Sequence, residues 1–290
     1  HRNITRDNLE SLFNPRNAQI EKAQITYNKI TLGIPKKADN MAPYGELGVY
    51  PLYIDAIDRM LKYWHFVENH SSNKLLLDAM ECNKALHTSG VHSWFSFAIN
   101  IRKVTSSSNL LSEGTPNLQE IKVIKKKLQK RYEIYWKNNL HDDSKCKSKH
   151  GKKLRTYRLF KLNFGAEKYL NKLNNPSYRK ELSKFRLSAH RLMIEVGRYT
   201  NVELEKRLCP KCDLNKIENE AHFLLECPFY ETQRKTLMNI ILINSPSFNN
   251  LCQTDQLCWI MSNENNNIIH ELGKFILEAT TLRCLQPTNV

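Results

Sequence analysis

Residues 177–198 read SYRKELSKFRLSAHRLMIEVGR. Tyr178, Leu182, Phe185, Ala189, Leu192 and Val196 step alternately by four and three, the period of one buried face of a helix. The spacing predicts a single amphipathic helix across the stretch. Lys184, Arg191 and Arg198 lie seven apart, a spacing that drifts only about 20° per step on a continuous helix. They form one exposed cationic line, with Arg179 and Arg186 beside it.

The same period recurs outward in both directions. Residues 117–140 carry an apolar stripe of Leu118, Ile121, Ile124, Leu128, Tyr132 and Tyr135, with Lys122, Lys125, Lys126, Lys127, Lys130 and Arg131 on the other faces. Residues 52–67 align Ile54, Ile57, Leu61 and Trp64. Further helices are expected at 17–32, 73–87, 91–104, 154–172, 228–243 and 265–284, while the Pro- and Gly-rich stretch 35–51 reads as a loop. No alternating strand pattern or tandem repeat interrupts this series. The fold class is all-α: helical bundle segments, then a small zinc-knuckle module, then C-terminal helices.

The module is CPKCDLNKIENEAHFLLEC, residues 209–227, with the spacing C-x2-C-x9-H-x4-C. Zinc takes tetrahedral thiolate and imidazole ligands, and C-x2-C supplies two sulfurs from one tight turn. Cys209 and Cys212 are that pair. A helix opening at Asn219-Glu220 returns His222 and Cys227, although a four-residue gap inside an α-helix sets those two slightly off one face. Four protein ligands fill the coordination shell, so the expected zinc is structural, without an open position for a catalytic water. Phe223 and Leu224 pack between the ligands.

Composition bounds the partners. The 290 residues carry a formal net charge of +15, and residues 122–198 hold 23 Lys and Arg against 6 Asp and Glu, which leaves the rest of the chain close to neutral. Charge concentrated in one segment points to a polyanion, RNA or DNA, rather than to uniform solubilisation. The hydrophobic share of 41%, with 4 Trp, 12 Tyr and 11 Phe, is enough for one large or two ordinary cores. No apolar run approaches the roughly 20 residues of a membrane span, and the charged start HRNITRDNLE has no signal-peptide core and no initiating Met, as in a fragment. Eight cysteines at irregular spacing outside the one cluster fit a reduced, intracellular setting. The expected division is an N-terminal helical region over 1–105, a linker over 106–116, a basic helical region over 117–200, the knuckle over 201–230 and helices over 231–290.

Other chemistry finds little support. Asp142-Asp143 resembles the paired metal-holding aspartates of polymerases but lies in a charged loop, HDDSKCKSKHGKKLR. There is no phosphate-cradling glycine loop and no nucleophile motif. His190 sits between the apolar stripe and the basic line, in a packing or phosphate-facing position. Trp64, Trp94 and Trp136 lie on apolar faces, as core residues do.

Three blocks together resemble the C-terminal part of the polyprotein of non-LTR (LINE-like) retrotransposons: YGELGVYPLYIDAIDRMLKYW (44–64), LSKFRLSAHRLMIEVGRY (182–199) and RLCPKCDLNKIENEAHFLLECPFY (207–230). They follow the family order over about residues 15–245. The resemblance implies a parent with reverse transcriptase activity, often with an endonuclease domain, and a tail that binds template RNA or target DNA, in the nucleus. Carried over residue by residue, only Cys209, Cys212, His222 and Cys227 match functional positions. The polymerase aspartate block has no counterpart, so this chain is expected to have no catalytic residues and no enzymatic activity of its own. Two rivals remain: a zinc-stapled protein-interaction module, and a nuclease, which the scarcity of clustered carboxylates in the basic segment disfavours.

Overall fold

The structure is a computed structural model that describes residues 19–105, 114–141 and 153–285. Among these residues it is all-α with no β-strand, and Leu208 and Ile217 form a lone antiparallel bridge. The α-helices are α1 (Gln19–Leu32), α2 (Ala42–Leu47), α3 (Leu52–His70), α4 (Lys74–Thr88), α5 (Trp94–Thr105), α6 (Leu118–His141), α7 (Tyr157–Phe160), α8 (Tyr169–Lys172), α9 (Pro176–Arg186), α10 (Met193–Tyr199), α11 (Glu231–Asn244), α12 (Gln253–Met261) and α13 (Asn266–Leu285). None is long and apolar enough to cross a membrane.

The chain divides into two compact units, residues 1–25 with 50–136 and residues 26–49 with 137–290. A boundary at 106–116 does not separate them: residues 117–136 belong with α3–α5, and residues 26–49 belong with the C-terminal half. Most of that linker, residues 106–113, lies outside the described residues, as do Cys146 and the Asp142-Asp143 pair.

In the first unit α3 packs against α4 and α5. Ile54, Ile57, Leu61 and Trp64 are buried, as their spacing requires. Asn73 starts α4 by accepting the Leu75 N–H at 3.0 Å, satisfying a donor that the first helical turn leaves open. Buried Arg102 ties α5 to α6 through Glu120, at 2.9 and 3.2 Å, and through the Gly114 carbonyl at 2.6 Å.

In the second unit α13 packs along α9 and α11. Leu182, Phe185, Phe223, Leu237, Ile241, Phe275 and Ile276 share one core. Gly273 permits the close approach of α9: a Cβ there would sit 3.0 Å from that of Tyr178.

Several expected elements differ. The 35–51 loop contains α2, whose first turn holds Pro43. The 154–172 stretch forms only two single-turn helices, α7 and α8, because Asn163 and Gly165 sit in an irregular segment where the Lys161 ammonium is held by the Gly165 carbonyl and Glu167. Helix α12 had no counterpart in the periodicity. Most consequential, residues 177–198 are not one helix. Helix α9 ends at Arg186, and Ser188 takes the left-handed conformation with φ 50°. Ala189 N–H then reaches back to the Lys184 carbonyl at 2.8 Å and Ser188 N–H to that of Phe185 at 3.3 Å. This pair of bonds is the Schellman ending of a helix. Helix α10 starts afresh when Met193 N–H meets the buried Glu218 carboxylate at 2.6 Å.

Candidate metal centre

A small hairpin carries the first two ligands. Cys209 N–H donates to the Lys216 carbonyl at 2.8 Å and Glu218 N–H to that of Arg207 at 2.9 Å, which leaves Cys209-Pro-Lys-Cys212 in the turn between them. The second pair comes from a single π-helical turn, His222–Glu226. Asn219 opens that turn by accepting the His222 N–H on its side-chain oxygen at 2.8 Å. Cys227 N–H then bonds the His222 carbonyl at 2.8 Å, five residues back. An α-helical turn would have left the two side chains off one face, and the wider turn brings both to the same point. Such turns are rare and concentrate at functional sites.

Cys209, Cys212, His222 and Cys227 present ligand atoms that all lie within 4.8 Å of one another, a group able to hold a metal ion. Cys209 Sγ and Cys227 Sγ are 3.9 Å apart, and Cys212 Sγ is 3.4 Å from His222 Nε2. Cys209, His222 and Cys227 are buried among Phe223 and Leu224, so the site sits in the core rather than on a rim. Without a cation, sulfurs this close are hard to ionise together. The Cys209 thiol is pushed up to about 12, first by its contact with Cys227 and then by burial, and burial pushes the Cys212 thiol up as well.

The imidazole is oriented from behind. His222 Nδ1 faces Glu226 at 3.4 Å, and Glu226 is itself paired with Lys216 at 3.0 Å. Burial works against ionisation of Glu226, but the bonds from Lys216 and His222 outweigh it and hold its carboxyl below the usual range. With Nδ1 engaged there, Nε2 is the nitrogen left to ligate. Arg234 fixes the far end of the turn through the carbonyls of Cys227 at 2.6 Å and Phe223 at 3.3 Å. The sequence marked Asn219 but not Glu226 or Arg234, whose roles depend on the π turn.

The cationic residues fall into separate settings. Lys122, Lys126 and Lys130 are exposed on α6, and Lys122 and Lys126 have no partner among the described residues. Lys130 pairs with Glu133 at 3.2 Å. Lys125 is bonded to Asp55 at 2.7 Å, Lys127 to the Thr105 carbonyl at 3.0 Å and Arg131 to the Val104 carbonyl at 3.1 Å. The line Lys184, Arg191 and Arg198 is not continuous, because the three stand on α9, on the turn after it and on α10. Lys184 pairs with Glu181 at 2.6 Å and Arg198 with Glu195 at 3.2 Å. Arg179 donates to the carbonyls of Leu170 and Leu173. Arg186 is buried against Glu46 and Glu167. Arg191 alone of this group is exposed and unpartnered among the described residues. His190 is a packing residue: one ring nitrogen meets Glu220 at 3.0 Å, and the other takes a long 3.4 Å bond from Leu192 N–H. Trp64 and Trp136 are buried, and Trp94 is half-buried.

Fold and site together define an all-α protein whose Cys3His group can hold a metal ion. Comparison with protein-family models, with curated proteins and with solved structures returned no match.

Proposed function

We propose that the ion is zinc and that the chain is a nucleic-acid-binding module, the C-terminal part of a non-LTR retrotransposon reverse transcriptase that supports target-primed reverse transcription. For a tetrahedron with Zn–S near 2.3 Å and Zn–N near 2.0 Å, the S–S edge is about 3.8 Å and the S–N edge about 3.5 Å. The separations of 3.9 and 3.4 Å are close to both. Three thiolates and one imidazole form a closed structural shell, so zinc would supply folding energy and rigidity, with no role in bond making.

The observation that carries nucleic-acid binding is the row Lys122, Lys126 and Lys130, exposed at four-residue spacing on α6. Four residues rise about 6 Å along a helix. That row sets three ammonium groups along one edge, as a phosphate backbone requires. Each neutralised phosphate releases counterions, so binding weakens steeply with salt. Changing all three to Gln should lower the salt slope by about three at most and weaken all sequences alike, with unchanged circular dichroism. Binding isotherms across a salt series that superimpose on those of the parent would sink this reading. They would favour the protein-interaction module, in which zinc only staples helices. The three ordered sequence blocks support the retrotransposon assignment, and the sequence of the parent protein upstream of His1 tests it.

A further inference from the structure

A cavity of about 680 Å³ opens among α9, the turn that follows it, the loop after α1 and the end of α13. Its size is that of small-molecule sites, which run from about 300 to 1,000 Å³. Phe185, Leu192, Phe223 and Ile276 give it apolar walls. Thr280 and Thr281 add polar points. Their hydroxyls donate back to α13 carbonyls at 2.6 and 2.7 Å, which leaves the oxygens free to accept.

The mouth is cationic in a specific way. Lys184 and Arg283 line it but are tied to Glu181 and Glu218. Lys180 and Arg191 are exposed there and have no hydrogen-bond or ion-pair partner among the described residues. Lys180 is also placed by its surroundings. Its stem lies across Gly33, φ +64°, where a Cβ would fall 2.5 Å from the lysine Cγ. Glycine at 33 therefore serves both the turn and the lysine.

We propose that this cavity takes one unpaired base of a single-stranded nucleic acid, with the flanking phosphates on Lys180 and Arg191. The inference rests on the nucleic-acid reading above and adds the form of the strand. A base has apolar faces and a polar edge, which match apolar walls interrupted by threonine oxygens. An acyl chain would bury those oxygens against hydrocarbon, which is unfavourable for a polar group. A base inside a duplex reaches the cavity only after unstacking, at a penalty of a few kcal/mol. A lysine row on a helix does not by itself distinguish a base-bearing strand from a bare backbone of equal charge. The cavity does.

The test compares binding of a labelled oligothymidylate, an abasic oligomer of equal length and a duplex at one salt concentration. The parent chain should favour the thymidylate over the abasic strand by about tenfold, the scale of one base contact. Ala189→Phe, which fills the cavity, should erase that preference and leave the salt slope unchanged. Arg191→Gln should lower the slope by about one. If circular dichroism shows Ala189→Phe misfolded, Thr281→Trp at the exposed mouth replaces it. Equal affinity for thymidylate and abasic strands overturns the base pocket and leaves the lysine row standing. Absence of binding to all three overturns both readings. A fluorescent fatty acid that binds the parent chain but not the filled variant, without any base preference, assigns the cavity to acyl chains and also overturns the proposal.

Discussion

The backbone N–H of Cys227 bonds the carbonyl of His222 at 2.8 Å, five residues back, and this one contact turns an unfavourable ligand spacing into a usable one. The π turn would have little reason to form in a free peptide. It is held by Asn219 at its start and Arg234 at its end, and it packs Phe223 and Leu224 fully into the core. The metal ligands and the second unit's core are thus one construction.

Glu226→Gln should weaken zinc binding by about tenfold to a hundredfold while the fold persists, because the carboxylate behind His222 orients the ring and raises its basicity. Competition with a chromophoric chelator measures the affinity. An unchanged zinc dissociation constant would show that Glu226 is merely a neighbour.

Ser188→Gly should stabilise the protein by about 1 kcal/mol. Ser188 holds a left-handed conformation that disfavours a side chain, and its buried hydroxyl has no partner among the described residues. One helix through 177–198 would give the opposite sign, since glycine in a helix interior costs about 1 kcal/mol relative to alanine. Urea titration of the two proteins separates the outcomes.

The helix break was not legible because its signals contradict each other. The apolar spacing continues through Ala189 and Leu192, although only Leu192 is buried in the core, while the residue that stops α9 is Ser188 rather than the glycine that usually marks such an ending. The metal ligands were legible because their types and spacing are local. Helices α3, α6 and α13 were legible because each buries an apolar stripe, whereas α4 buries only Met80. By spacing alone Arg186 falls beside the exposed line, and nothing near it reveals its buried partner: Glu46 lies 140 residues away in sequence.

Arg186→Met should destabilise by about 3–5 kcal/mol, because it leaves Glu46, fully buried, without its counter-charge. Arg186→Lys should recover little, since one ammonium cannot reproduce a guanidinium that bonds Glu46, Glu167 and the Met261 carbonyl together. Pairing Arg186→Met with Glu46→Gln should regain part of the loss. Thermal melts that put the single and double variants at the same midpoint would remove Glu46 from the explanation.

Primer extension on an RNA template should be absent with this chain alone: Asp55 and Asp58, the aspartates one turn apart on α3, are both taken up by lysines, Lys125 and Lys62. Asp142-Asp143 lies outside the described residues, so the informative control is Asp142→Asn with Asp143→Asn. DNA synthesis by the parent chain that this double change abolishes would overturn the expectation.

The most direct measurement is native mass spectrometry, with elemental analysis, of protein purified without chelator. The account predicts one zinc ion per chain, none in the Cys209→Ser, Cys212→Ser variant, and loss of cooperative unfolding when a strong chelator strips the metal, because a closed thiolate site couples to folding. A zinc-free parent chain that melts cooperatively and unchanged in chelator would contradict it.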